Sequence, residues 1–135
     1  MGVYKVERTP YGLRLTLSGV MSSDEIHRWG RDVVALLDQL ERPFGVFVDM
    51  RQFVPPAPED QGALKHAQIR ARQLGMRRSV VIVDNLETAA EFERIARQTG
   101  IYAYERYINA GDDPRWEQRG LDWLVDGVDP DVGLR

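Results

Sequence analysis

Two aspartates close short apolar runs in this chain. One run is Phe44-Gly45-Val46-Phe47-Val48-Asp49-Met50, and the other is Ser79-Val80-Val81-Ile82-Val83-Asp84. If both runs are strands, Asp49 and Asp84 project into the crevice at the carboxyl edge of a sheet, where open α/β sheets bind ligands. A pair of carboxylates there could hold magnesium, which takes hard oxygen ligands. The same residues have plainer uses: Asp84 as the cap of a following helix, and Asp49 as the partner of Arg51 or of a backbone amide. Neither histidine adds to the pair, because His27 and His66 fall on different predicted helices and no serine or cysteine stands at a strand-turn-helix elbow. No Gly-x-Gly-x-x-Gly or Walker loop is present to cradle a nucleotide phosphate. The residues therefore name no metal ligand, no catalytic group and no cofactor.

A basic cluster is more distinctive. Residues 64 to 78 hold Lys65, Arg70, Arg72, Arg77 and Arg78 and no acid, whereas the rest of the chain from 79 holds six bases against twelve acids. On a helix Lys65 and Arg72 share one face, and Arg77 and Arg78 fall just past its C-terminal end, where cations favour the helix dipole. Such a face suits a phosphate head group or an acidic protein surface. Equally, it suits an ordinary solvated face whose arginines pair with Glu87, Glu91 and Glu93 of the next helix. The tyrosines Tyr102 and Tyr104 share a face if Ile101 to Ile108 is a strand, and at a sheet edge they would form a dimer seam or line an apolar groove. Trp29, Trp116 and Trp123 sit at core spacing on their helices.

The elements that must position these groups are legible. Val3 to Arg8 alternates, Thr9-Pro10-Tyr11-Gly12 has turn chemistry, and Leu13 to Ser18 alternates again, which predicts an antiparallel hairpin. Ser22 and Glu25 form a capping-box signature ahead of Ile26, Trp29, Val33, Leu36, Leu37 and Leu40, an amphipathic helix that ends before Pro43. The run at 44–50 follows as a strand with apolar residues on both faces. Val54-Pro55-Pro56-Ala57-Pro58 leads into a helix of about 16 residues from near Glu59 to Gly75. Val80 to Val83 is a strand, and Asp84 or Asn85 caps a third helix with Leu86, Phe92, Ile95 and Ala96 inward. After the strand at 101–108, Asp113-Pro114 starts a fourth helix with Trp116, Gly120, Trp123 and Leu124. The order β-β-α-β-α-β-α-β-α predicts an α/β fold: a mixed, mainly parallel sheet of about five strands flanked by four helices, the last three strands parallel and the hairpin at their side. Residues 1–127 make one domain and 128–135 a polar tail.

Composition narrows the classes. With 135 residues the chain can bury roughly 68% of its unfolded surface in one core. It contains no cysteine, which removes disulfides, a thiolate nucleophile and cysteine-based metal sites. The balance of 18 basic and 21 acidic residues, net charge −3, speaks against nucleic-acid binding. Met1 to Thr9 has no apolar leader character, and no stretch approaches ~18 apolar residues, so a cytoplasmic protein that does not span a membrane is expected.

The opening hairpin, the strand Val46-Phe47-Val48-Asp49-Met50 before a helix-starting loop, and the ending Arg106-Tyr107, acidic turn, Trp116 to Trp123-Leu124 together resemble the SpoIIAA-like superfamily. That group comprises the STAS domains of anti-sigma-factor antagonists and a bacterial STAS/SEC14-like branch. In the antagonists a serine in an Asp-Ser-Ser-Gly motif is phosphorylated. The matching segment here is Glu59-Asp60-Gln61-Gly62-Ala63-Leu64, with Gln61 in the serine's place, so a phosphorylation switch is not expected. Resemblance to the SEC14-like side implies a cavity for a nonpolar ligand between sheet and helices.

Three functions follow, in order. The first is a non-enzymatic module that docks on a protein partner or on itself through the 51–62 loop and the basic helix, with Arg51, Phe53, Gln61, Lys65, Arg70 and Arg72 as contacts. The second is a carrier of a lipid or other apolar acidic molecule, with Tyr102 and Tyr104 along the groove. The third is a small metal-dependent enzyme using Asp49 and Asp84.

Overall fold

The computed structural model describes residues 2–132. Strands β1 (Val3–Thr9) and β2 (Gly12–Gly19) form the expected hairpin, with Thr9 opposite Gly12 across the turn. Helix α1 (Ser23–Leu37) opens on the capping box: the Ser22 hydroxyl accepts from the Glu25 N–H at 3.1 Å, and the Glu25 carboxylate accepts from the Ser22 N–H at 2.9 Å. Strand β3 (Phe44–Phe53), helix α2 (Gly62–Gln73), strand β4 (Met76–Val83), helix α3 (Leu86–Thr99), strand β5 (Glu105–Asn109) and helix α4 (Trp116–Asp126) complete the order read from the sequence.

One sheet runs in the order β1-β2-β3-β4-β5. Only β1 is antiparallel; β2, β3, β4 and β5 are mutually parallel, so the parallel set begins one strand earlier than expected. Because successive parallel strands are laid down side by side in one direction, right-handed crossovers carry α1, α2 and α3 to one face. Helix α4 covers the other.

The two faces follow from the period of two along β3. Phe44, Val46, Val48 and Met50 point toward α1–α3, where Val46 packs in a core with Leu15, Trp29, Val33, Leu37, Ala67 and Ala71. Phe47 points the other way, into a second core of Val80, Ile82, Ile108, Trp123 and Leu124 beneath α4.

Several boundaries differ from the sequence reading. Pro58–Asp60 is a single 3-10 turn, and α2 proper starts at Gly62. Strand β4 starts at Met76 rather than Val80, so Arg77 and Arg78 belong to the strand. Arg78 does meet a helix C-terminus, but that of α4, donating to the Leu124 and Val125 carbonyls at 3.2 and 3.3 Å. Of the two caps offered for α3, Asn85 is the one used, its side chain accepting from the Thr88 N–H at 2.7 Å. Leu86 and Ile95 were expected inward and are instead 68% and 42% exposed. The last strand is the largest change: Gly100 ends α3 in the left-handed region at φ 85°, and Ile101–Ala103 then form a 3-10 turn. Tyr102 and Tyr104 are therefore off the strand, and the tyrosine-lined sheet edge does not exist.

Of the expected tail, residues 128–132 lie against the domain. Asp129 receives both the Nε and an Nη of Arg106, at 2.9 and 3.1 Å. Met1 and residues 133–135 lie outside the described residues.

Gly120 fixes how closely α4 approaches the sheet. A Cβ there would sit 2.8 Å from the Phe47 ring and 3.4 Å from Val80, and Phe47 is fully buried, so the ring has nowhere cheap to go. Helix propensity alone would make Gly120→Ala stabilising by about 1 kcal/mol. We expect the reverse, a loss of about 1–3 kcal/mol from overpacking, read as a lower urea midpoint with unchanged m.

Candidate functional site

Strand register assembles a floor on the α1–α3 face. Val46, Ser79 and Glu105 lie side by side across β3, β4 and β5, and Val48, Val81 and Tyr107 form the next row. Two helices form the walls. Leu64, Ala67, Gln68 and Ala71 on α2, and Phe92, Ile95, Ala96 and Thr99 on α3, recur at helical spacing and face the space between. Helix α2 packs on α1, and α3 packs on β5. Because the wall residues include Ala67, Ala71 and Ala96 over a floor of valines, side chains do not fill the gap. The result is an apolar cleft of about 500 Å³. Its lips carry Ile69 and Ile95, 59% and 42% exposed.

A second cavity of about 320 Å³ continues from it toward the carboxyl edge of the sheet, sharing Met50, Leu64, Lys65 and Phe92 and adding Phe53, Pro55, Pro56 and Gln61. The Gln61 amide donates to the Pro56 carbonyl at 3.2 Å and so holds the proline-rich loop over this end. Lys65 stands where the two cavities meet and is exposed.

The polar group of the cleft is Glu105, only 6% exposed. One carboxyl oxygen, Oε1, accepts from the Ser79 hydroxyl at 2.7 Å. The other, Oε2, accepts from Gln68 Nε2 at 3.0 Å and from the Tyr107 hydroxyl. Burial pushes the Glu105 carboxyl above its ordinary range, and the bonds from Tyr107, Ser79 and Gln68 only partly offset this. Burial and the nearby Glu105 charge likewise push the Tyr107 phenol far up. The Tyr107 ring is held edge-on by Phe92, centroids 5.8 Å apart. Trp29 also lines the cleft, and its indole N–H is buried with no acceptor, the one such side-chain atom among the described residues.

Asp49 is the opposite case. It lies on the α4 face, away from the cleft, and is equally buried at 6%. Its Oδ1 accepts from the Arg51 backbone N–H at 3.1 Å and Arg51 Nε at 3.0 Å, and its Oδ2 accepts from an Arg51 Nη at 2.9 Å. Burial tends to raise its pKa, but the bonds and charge of Arg51 outweigh that and hold it below the ordinary carboxylate value. The Arg51 guanidinium in turn lies 4.2 Å over the Trp116 ring. Asp84 receives the Asn85 amide at 3.3 Å. Among the described residues no group of three or more potential metal ligands gathers, at these aspartates or elsewhere.

Of the residues singled out from the sequence, Phe53, Gln61, Lys65 and Asp84 come together at the cleft's outer end. The others are dispersed. Arg51 is on the far face. Arg70 donates to Gln73 at 3.2 Å, and Arg72 donates to the Met76 carbonyl at 2.8 Å while lying 4.1 Å over the Tyr104 ring. The expected pairing of these arginines with α3 is replaced by pairs within α3, Glu91 with Arg94 and Glu93 with Arg97. Tyr102 donates to Asp131 and lies under Arg97 and Arg106. Glu105, Ser79, Gln68 and Tyr107 are not among the site residues expected from the sequence. With β5 beginning at Glu105, the residues of that segment that face the cleft are Glu105 and Tyr107, not Tyr102 and Tyr104.

No protein-family model matches this chain, and no curated protein matches it in sequence. Among solved structures it is similar to an uncharacterized protein of the DUF3478 family with a SpoIIAA-like fold from Shewanella loihica PV-4, with a TM-score of 0.63 over 91% of this chain and 93% of that one. This chain has a SpoIIAA-like fold. At 12% identity the likeness is one of fold. No helix among the described residues is long and apolar enough to cross a membrane.

The opposite shifts of the two acids give opposite pH signatures. Glu105 is protonated in folded and unfolded chains well below its ordinary 4.5. As pH rises past that value the unfolded chain ionises first, so stability falls until the raised folded-state pKa is passed. Glu105→Gln cannot ionise. The variant should therefore gain stability relative to wild type between about pH 4 and about pH 7, measured by urea denaturation at both. A gap independent of pH would mean that burial does not disfavour the Glu105 carboxylate. For Asp49 the contribution is present at neutral pH and is lost as pH falls through its depressed pKa, below the ordinary 3.8.

Proposed function

We propose that this protein is a non-enzymatic binding module that takes a small apolar or lipid-like molecule into the cleft between α2, α3 and the sheet. The observation that carries this reading is the cleft itself: about 500 Å³, walled by alanines, valines, Phe92 and Tyr107, and open between exposed Ile69 and Ile95. Small-molecule sites are of this size and character, mostly apolar with a few convergent polar groups. A well-packed core leaves few voids larger than a water molecule, and leaving this much apolar surface wet costs free energy that a ligand would recover. Lys65 at the junction with the outer cavity is placed to pair with an acidic head group while the apolar body lies inside. The 53–61 loop closes the outer end through Phe53, Pro55 and Pro56.

Docking on a protein partner through Arg51, Arg70 and Arg72 is the weaker reading. Arg51 and Arg72 are already engaged, by Asp49 and Trp116 and by the Met76 carbonyl and Tyr104.

The test is direct. Mass spectrometry of an organic extract of the purified protein should reveal a copurified apolar molecule, and fatty acids or phospholipids should raise Tm. A ligand at about a hundred times its Kd adds roughly 2.7 kcal/mol. Val48→Phe places a ring on the cleft floor and should abolish the thermal shift while the variant remains folded. No copurified molecule and no shift with any lipid would overturn the reading.

A further inference from the structure

The proposed cleft has a chemical polarity that its apolar walls do not reveal. Glu105 is a carboxyl at the floor of an apolar space, and its three hydrogen-bond partners, Ser79, Gln68 and Tyr107, are all neutral. Among the described residues it takes part in no ion pair: its sequence neighbour Arg106 is directed to Asp129, Arg72 to the Met76 carbonyl, and Lys65, which lines the same cleft, is exposed and does not pair with it. A carboxylate offers about four lone-pair positions. Oε2 accepts two bonds and Oε1 only one, so Oε1 retains the capacity to accept another.

We infer that the cleft selects ligands whose buried polar group is a hydrogen-bond donor, a hydroxyl or better an ammonium, seated against Glu105. This rests on the cleft being the binding site and adds which chemistry it prefers. Against the ionised Glu105, an acceptor-only group such as an ether or a carboxylate would stand lone pair to lone pair. A donor completes its hydrogen bonding, and a cation also offsets its charge in a site that water cannot easily screen. Any acidic head group must then lie at the Lys65 end, away from Glu105.

Three probes of nearly equal apolar size separate the possibilities: octylammonium, octanol and octyl methyl ether, titrated into the full chain by calorimetry. Octanol and octylammonium should bind wild type about tenfold or more tightly than the methyl ether, the scale of one hydrogen bond to a charged group. In Glu105→Gln, whose amide carbonyl still accepts but carries no charge, the ammonium should lose its advantage over octanol. Equal affinity of all three for wild type would overturn the inference, and so would an ammonium preference undiminished in Glu105→Gln. The wild-type series needs no variant, so it decides the matter even if Glu105→Gln folds poorly. The two readings fail differently. If the methyl ether binds as well as the others and Val48→Phe abolishes all binding, the cleft stands and the donor preference falls. If no probe binds at all, both fall.

Discussion

Side-to-side alternation along β3 is the constraint on which the rest depends. With three helices carried to one face by same-handed crossovers and one helix left for the other, each residue of 44–51 is committed to one of two different environments. The α4 face is closed. Phe47 is fully buried there, with the Arg14 guanidinium 4.6 Å from its ring centroid, Trp116 at 6.3 Å and Gly120 admitting the helix. The α1–α3 face is only partly filled, because the inward stripes of α2 and α3 are built on alanine. A shift of one residue in β3 would exchange Phe47 for a valine beneath α4 and put Asp49 into the apolar cleft.

The two buried carboxylates show how environment assigns roles to like groups. Asp49 and Glu105 are equally inaccessible, but Asp49 has a bidentate arginine and a backbone N–H, whereas Glu105 has a serine, a glutamine and a tyrosine. Opposite charge stabilises the ionised form; neutral donors offset the cost of burying it only in part. Asp49 is thus spent on holding Arg51 over Trp116, a cation–π contact worth about 0.5–2 kcal/mol. Glu105 retains a costly buried carboxyl without a charged partner, which is the condition under which a ligand can improve the site.

Most of the architecture was legible in the sequence because it rests on strong local signals. The Ser22 to Glu25 capping box, the Thr9 to Gly12 turn and the valine-rich 80–83 run all specify their own conformations. Asp49 with Arg51 could be read because the pair is two residues apart on one strand. The cleft was not legible, since it depends on what α2 and α3 leave empty over three strands far apart in sequence. Alanine at 67, 71 and 96 is compatible with tight packing or with a gap, and only the tertiary arrangement decides. The last strand failed for a local reason. Aromatic residues at 102 and 104 favour a strand, but Gly100 turns the chain into a 3-10 turn, whose Ala103 and Tyr104 N–H groups are taken by Gly100 and Ile101.

The consequence of that shift is carried by two adjacent residues of opposite charge. Glu105 and Arg106 are neighbours in β5, yet the pleat sends their side chains to opposite faces. Arg106 goes to the closed face, where it is 7% exposed, lies 4.3 Å over the Trp123 ring and pairs with Asp129 of the C-terminal segment. Glu105 goes to the open face. The sheet itself separates the acid from its nearest base, and the only hydrogen bond between the two residues runs from the Arg106 guanidinium to the Glu105 backbone carbonyl. On the closed face the fold therefore supplies a countercharge from its own chain. On the open face it supplies Glu105 with neutral donors alone, and a countercharge for that carboxyl is left to whatever binds there.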